Sequence, residues 1–297
     1  PTLSSIGALL AYAANSITPQ LVADFKGGVY GKNSALSTFG GVLNHVRSSA
    51  ATYVDSAGLL QTAASGVARE NHHVYNGSAW VKEGYLHEPE AATNLLLNNG
   101  TLSTQNVTVT AVPHTLHFTG TGTVTLSGTA TDGPLVGTGT GENNRVNLTF
   151  TPSAGTLTLT VSGTVTNAQL AVGSVPTSYI PTAGSTVTRA ADTLTLPVAN
   201  IPYPTGASLA VSFGYKALVT YADTDTFPEA AFYTWSFSQV EKILGTLTTT
   251  SSRTGSPFFI QRADGPDKVS LGDSQQYSPG INVPMSIASR HGSTFIN

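Results

Sequence analysis

Residues 167–192 read Asn167-Ala-Gln-Leu-Ala-Val-Gly-Ser-Val-Pro-Thr-Ser-Tyr-Ile-Pro-Thr-Ala-Gly-Ser-Thr-Val-Thr-Arg-Ala-Ala-Asp192, and their reading decides the fold. Gln169, Ala171 and Gly173 alternate with Leu170, Val172 and Ser174, the period of a strand with one buried face. Val175-Pro176 and Ile180-Pro181 then force extended backbone, because a residue preceding proline is pushed out of the helical region. Tyr179 carries a large apolar body with one hydroxyl, suited to pinning a strand end against a sandwich. After the turn at Ala183-Gly-Ser185, Thr186 to Leu196 opens a new alternating run. The stretch reads as a junction between two β domains, one over 99–184 and one over 185–297.

Upstream of the junction the alternation is regular. Val107-Thr-Val-Thr, Thr115-Leu-His-Phe, Thr123-Val-Thr-Leu-Ser, Arg145-Val-Asn-Leu-Thr-Phe and Thr156-Leu-Thr-Leu-Thr-Val place apolar residues on one face and mostly threonine on the other. Gly, Asn or Pro separate them at intervals of about ten residues, the spacing of an antiparallel sandwich and not of a βαβ unit. A jelly roll of about eight short strands fits this segment. Downstream, Ala207 to Tyr215, Phe232-Tyr-Thr-Trp-Ser-Phe237, Val240 to Thr248, Phe258-Phe-Ile-Gln261, Val269-Ser-Leu271 and Ser286-Ile-Ala-Ser289 predict a second β sandwich. The chain stops at Phe295-Ile-Asn297, in what reads as the start of another strand, so an incomplete second sandwich is expected.

The N-terminal third is different. Residues 1–20 hold the one convincing helix: Ser4 or Ser5 can cap it, and Ile6, Leu9, Leu10, Ala13 and Ile17 fall on one face. Pro19 closes it. Its polar face is nearly uncharged; docking against other subunits is expected ahead of packing on its own domain, and ahead of a membrane surface, where a basic face is usual. Residues 21–98 read as a loop-rich anchor or connector. Within it, Asp55-Ser-Ala-Gly58 between two short apolar runs predicts one hairpin, and Asn76-Gly77 predicts the tip of another. The fold class is therefore all-β, with an N-terminal helix and loop-rich region followed by two sandwiches.

Composition narrows the function. Charged residues are 10% of the chain and the net charge is −3, so no dense cationic face for nucleic acid is expected. Arg47 and Arg69 each stand alone in the sequence. The absence of cysteine removes disulfides, zinc-thiolate sites and thiol catalysis. No cationic segment precedes Leu9-Leu10, so a signal peptide is not expected, and no apolar run reaches the length of a bilayer span.

Three strings carry a resemblance. Gly173-Ser174 with Thr177-Ser-Tyr-Ile-Pro-Thr182 and Thr188-Arg-Ala-Ala-Asp192 form the first; Arg47-Ser-Ser-Ala-Ala-Thr-Tyr-Val-Asp55 with Leu59-Leu-Gln-Thr62, and Glu88-Pro-Glu-Ala-Ala-Thr-Asn-Leu-Leu-Leu97, are the others. In this order they resemble bacteriophage virion proteins over roughly residues 20 to 200. There the first string closes a carbohydrate-binding-like jelly roll and opens a concanavalin/laminin-G-like sandwich. The resemblance implies a tail fibre, spike or head decoration, assembled in the bacterial cytoplasm and exposed on the particle. Its N-terminal region would dock to other virion proteins and its partner would be a bacterial surface polysaccharide. A homotrimer is implied by analogy.

Chemical constellations are sparse. His72-His73 with His87-Glu88 is the densest titratable group, but adjacent histidines in a strand point to opposite faces and cannot chelate together. His117 lies in an alternating strand and is expected to be half-exposed. Asp223-Thr-Asp225 and Asp264-Gly-Pro-Asp267 are loop carboxylates that match no twelve-residue calcium loop, so no metal or other cofactor is expected. Glu229 with Asp223 or Asp225 could form a carboxylate pair for glycoside cleavage, but spacing in the sequence does not bring such a pair together. No Gly-x-Ser-x-Gly elbow exists, and the expectation is a protein that is not an enzyme. Sugar stacking could draw on Trp80, Trp235 and the tyrosines at 75, 85, 203, 215, 221, 233 and 277. Tyr221, Trp235 and Tyr277 are the leading candidates. Glycan binding, a purely structural role and polysaccharide cleavage are the competing readings, in that order.

Overall fold

The computed structural model describes residues 21–33, 35–200, 211–219, 230–236, 242–247, 255–262, 267–272, 274–278, 281 and 283–291. The N-terminal helix expected over 1–20, with Ile6, Leu9, Leu10, Ala13 and Ile17, lies outside these residues. The described chain is almost wholly β, and it divides into two compact units: 1–172 with 176–204, and 173–175 with 205–297.

The first unit opens with a small antiparallel sheet of β1 (Leu21–Asp24), β2 (Val29–Lys32) and β3 (Ala35–Ser37). One helical turn, α1 (Phe39–Val42), follows, capped by the Thr38 hydroxyl accepting from the Gly41 N–H. β4 (Asn44–Val46) comes next. The two hairpins expected from the turn residues are present: β5 (Ala51–Val54) pairs with β6 (Leu60–Ala63), and β7 (His72–Tyr75) with β8 (Trp80–Gly84). Asp55 makes the first turn, its Oδ1 accepting from the N–H groups of Ala57 and Leu59 at 2.9 and 3.0 Å. Asn76 makes the second in the same way, through Ser78 and Ala79. Residues 21–98 are thus hairpins around a small core of Tyr30, Phe39 and Val42, with Phe25 and Tyr85 packed on it.

After β9 (Ala92–Asn94) comes the sandwich that the alternation predicts. Its strands are β10 (Gln105–Val109), β11 (His114–Gly120), β12 (Thr123–Gly128), β13 (Leu135–Val136), β14 (Val146–Phe150), β15 (Gly155–Ser162) and β16 (Val165–Val172). One antiparallel sheet runs β10-β15-β12-β13 and the other β14-β11-β16. Both feed a single core that includes Val107, Leu116, Phe118, Val124, Leu126, Phe150, Leu157, Leu159 and Leu170. Threonine occupies the alternate positions of β15, where the burial pattern switches between buried and open.

The run from Thr186 to Leu196 does not open the second sandwich. β17 (Val187–Arg189) pairs back with β9, and β18 (Thr193–Thr195) pairs back with β4. The side chain of Asn200 continues the closure, accepting from Lys32 Nζ at 2.8 Å and donating to the carbonyls of Gly41 and Val42. The division between units falls near residue 204 because these strands find their hydrogen-bond partners in the N-terminal hairpins.

The second unit contains β19 (Val211–Val219), β20 (Ala230–Ser236), β21 (Lys242–Leu247), β22 (Pro257–Arg262), β23 (Asp267–Gly272) and β24 (Val283–His291). β19 pairs with β24, and β20-β21-β22-β23 form an antiparallel sheet in sequence order.

Truncation tests this boundary. A chain cut after Pro204 is expected to retain a cooperative thermal transition. One cut after Gly184, which lacks β17 and β18, is expected to lose it or to melt at least 10 °C lower, as read by circular dichroism.

Candidate functional site

Four charged residues of the three strings, Arg47, Glu88, Arg189 and Asp192, meet Arg69 in one buried cluster. Arg47 lies between β4 and β5, Arg69 between β6 and β7, Glu88 after β8, Arg189 at the end of β17 and Asp192 just before β18. Arg47 Nη1 donates to Asp192 Oδ1 at 3.0 Å and Arg69 Nη2 to Asp192 Oδ2 at 2.5 Å. Arg69 Nη1 reaches Glu88 Oε2 at 2.7 Å, and Arg189 Nε lies 3.2 Å from the same oxygen. All three guanidinium groups are essentially excluded from solvent. Two arginines that stand alone in the sequence are therefore gathered with a third in space, and internal carboxylates and carbonyls take up their charge.

Most of the spare donors have a use, although the Arg69 and Arg189 Nε–H groups are buried without a hydrogen-bond partner. Arg47 also donates to the carbonyls of Ser49, Ala64 and Val67, Arg69 to that of Thr52, and Arg189 to those of Glu90 and Ala190. Ser178 caps Glu88 with its N–H at 2.9 Å and its hydroxyl at 2.6 Å, and the Glu88 N–H donates to Asp192 at 2.9 Å. Burial pushes the Glu88 carboxyl up, but Arg189, Arg69 and Ser178 outweigh it and leave the group below its usual pKa. Asp192 is likewise raised by burial and lowered further by Arg69, the Glu88 N–H and Arg47. Carboxylates held ionised in this way cannot supply the protonated acid that glycoside cleavage requires.

The Ser178-Tyr-Ile-Pro-Thr182 segment forms the second half of the joint. The Asn94 and Asn99 side chains each donate to the carbonyls of Ala168 and Ile180, at 2.7 to 3.1 Å. Asn99 Oδ1 accepts from the Tyr179 hydroxyl at 2.9 Å, as the pinning role of Tyr179 requires, and from the Thr182 N–H. Gln169 Oε1 accepts from the Ile180 N–H at 2.7 Å. Thr52 donates to the Tyr179 carbonyl, tying the first hairpin to this segment.

His117 is buried, not half-exposed. It faces away from the apolar core, between Asn147 and Gln169 in the register, but that face of the sheet is roofed by other chain. Arg145 donates from Nη1 to His117 Nδ1 at 2.8 Å and to the Asn167 carbonyl, and holds Glu142 through two 2.8 Å bonds. Its guanidinium lies 5.8 Å from the centre of the Tyr179 ring. Burial, then Arg145, hold the His117 pKa well below its usual value.

Beside the charged joint lies an open groove of about 630 Å³, lined by Gly27, Gly28, Tyr53, Glu70, Asn71 and Lys82 with Val67 and Ala68. Its size is within the range of small-molecule sites, about 300–1,000 Å³. On the strand that carries Lys82, Trp80 pairs across the hairpin with Tyr75, their rings 5.3 Å apart.

The structure places the residues expected to act as follows. His72 and His73 do not act together: His72 Nδ1 accepts from the Val54 N–H, and His73 Nδ1 meets the Asn71 carbonyl across a bulge. Among the described residues no group of three His, Asp or Glu side chains could hold a metal ion. Tyr277 is half-buried, with its N–H on the Gly255 carbonyl at 3.2 Å. Trp235 lies on β20 opposite Ile243. Tyr221, Asp223, Asp225, Glu229 and Asp264 lie outside the described residues, and Asp267 opens β23. The buried cluster itself is what the sequence reading missed. Its signal was the presence of Arg47, Glu88, Arg189 and Asp192 inside the three strings of a chain with so few charges. No protein-family model, curated protein or solved structure matches the chain.

Two measurements check this site. Asp192→Ala leaves two buried guanidinium groups without a shared counter-ion and is expected to cost about 3–5 kcal/mol in a denaturant melt, whereas an exposed-residue control such as Ser78→Ala should cost under about 0.5 kcal/mol. Stability is also expected to fall as pH drops. His72, lowered to about 4 mainly by burial, and His117 stay neutral in the folded chain while unfolded histidines protonate below about 6.5. The loss therefore begins near pH 6.5 and steepens below pH 4.5, where unfolded carboxylates take protons that Glu88 and Asp192 refuse. A Tm that is flat between pH 7 and pH 4 would contradict this.

Proposed function

We propose that the chain is a surface subunit of a bacteriophage particle, a tail fibre, spike or head decoration. In this reading residues 21–98 serve as an anchor and connector, and the N-terminal residues, with Ile6, Leu9, Leu10, Ala13 and Ile17, dock to other virion proteins. The sandwich at 99–184 is then of the jelly-roll type, the C-terminal strands belong to a lectin-like sandwich, and trimers direct both towards host-surface glycans. One observation carries the proposal: the three strings that resemble virion proteins, up to 145 residues apart, converge on a single buried joint. Three unrelated coincidences would have no reason to share partners.

A purely structural role is the second reading, and the same joint favours it. The charged and amide residues of the strings that build it are bound to other parts of the chain, so the shared signature describes a mount and not a ligand site.

Purified virus is expected to contain the chain at a fixed copy number by mass spectrometry. Its recovery only from particle-free lysate would remove the proposal. Phage carrying a deletion of residues 205–297 separates the two readings: lost adsorption supports glycan presentation, and normal adsorption with fragile particles supports the structural role.

A further inference from the structure

We propose that the groove between the β1–β2 turn, β5, the 67–71 loop and β8 binds a neutral oligosaccharide segment. This holds wherever the protein resides, and it places the sugar site in the N-terminal hairpins, apart from Tyr221, Trp235 and Tyr277.

The lining has the chemistry of a hydroxyl-binding surface. Lys82 only donates and the Glu70 carboxylate only accepts, while the Asn71 amide and Tyr53 hydroxyl do both. One positive and one negative group cancel, so the groove does not select a charged ligand. Adjacent sugar hydroxyls, each a donor and an acceptor, match such a mixed set. Lys82 is available: among the described residues it forms no ion pair, and the neighbouring Glu83, on the other face of β8, pairs with Lys26 at 3.3 Å. Glu70 stands near Tyr30, whose hydroxyl is held protonated by burial and then by that charge.

The edge of the groove at the β1–β2 turn is held by a glycine that its backbone requires. Gly28 has a φ of +68°, and a Cβ there would sit 3.6 Å from Lys82 Nζ, in the gap that the ammonium faces. The apolar component lies on the same strand. Trp80 and Lys82 are two residues apart on β8, hence on one face and about 7 Å apart along it. The indole is seated against Gly58 so closely that a Cβ would fall 2.3 Å from its Nε1. Tyr75, its cross-strand partner, is 36% exposed. Polar groups for hydroxyls beside a pre-positioned aromatic pair, an exposed Tyr75 on a half-buried Trp80, for the C–H face of a ring match the requirements of a pyranose chain.

The test uses the full chain on an array of immobilised neutral oligosaccharides (glucans, galactans and N-acetylglucosamine oligomers) and acidic counterparts, followed by calorimetry on the best probe. Lys82→Ala and Tyr75→Ala should each weaken binding about tenfold, Lys82→Ala with Tm unchanged and Tyr75→Ala with Tm lowered by no more than the few degrees that loss of its pairing with Trp80 costs. Asn71→Ala provides a third variant that removes only an amide. Binding that survives all three substitutions would place the sugar elsewhere and overturn the proposal. So would binding confined to acidic glycans, or no binding to any probe.

Discussion

The attraction between Asp192 and two arginines, Arg47 and Arg69, is the interaction on which the first unit depends. It joins the hairpins before the sandwich to the strand pairs β9–β17 and β4–β18 after it. The small core of Tyr30, Phe39 and Val42 is too limited to order some seventy residues of hairpins alone. The charged network adds defined partners that the apolar area does not specify. Three cations and two anions would be costly to desolvate in pairs, and the network is tolerable because backbone carbonyls satisfy most of the remaining guanidinium N–H groups, leaving the Nε–H of Arg69 and of Arg189 without a hydrogen bond.

The arrangement favours uniqueness of structure over bulk stability. A hydrophobic patch accepts many registers, whereas a carboxylate shared by two guanidinium groups and a backbone N–H accepts one. The same logic recurs at Asn94 and Asn99, whose side-chain amides meet on one pair of carbonyls. Both devices fix the path of the chain where it leaves the sandwich. The groove beside Lys82 inherits that rigidity, because Arg69 anchors one end of the loop carrying Glu70 and Asn71.

Much of the fold was legible in the sequence, for a physical reason. Strands β10 to β16 bury one face against a common core, so hydrophobicity alternates along them and the period can be counted. The hairpin turns at Asp55 and Asn76 were equally readable, because their side chains form the turn locally. What could not be read is long-range. Thr193-Leu-Thr195 alternates as a second-domain strand would, yet pairs with β4, and nothing in a two-residue period names a partner. His117 misled for a related reason: its position marks the outer face correctly, but the pattern does not say that Arg145 and Tyr179 roof that face. The candidate groove was legible only in fragments, as glycines, a hairpin tip and two aromatics.

The order in which the partners of the joint are made has a cost during synthesis. Arg47 precedes Asp192 by 145 residues, a delay of about 7 to 30 seconds at ordinary elongation rates. Through that interval the nascent hairpins carry cations meant for an interior that does not yet exist, and the pairing of β4 waits for a strand still inside the ribosome. The sandwich can condense first, because its strands are contiguous in the chain. β4 can be paired only once Thr193–Thr195 has been made, so the closing contact of this unit is available last.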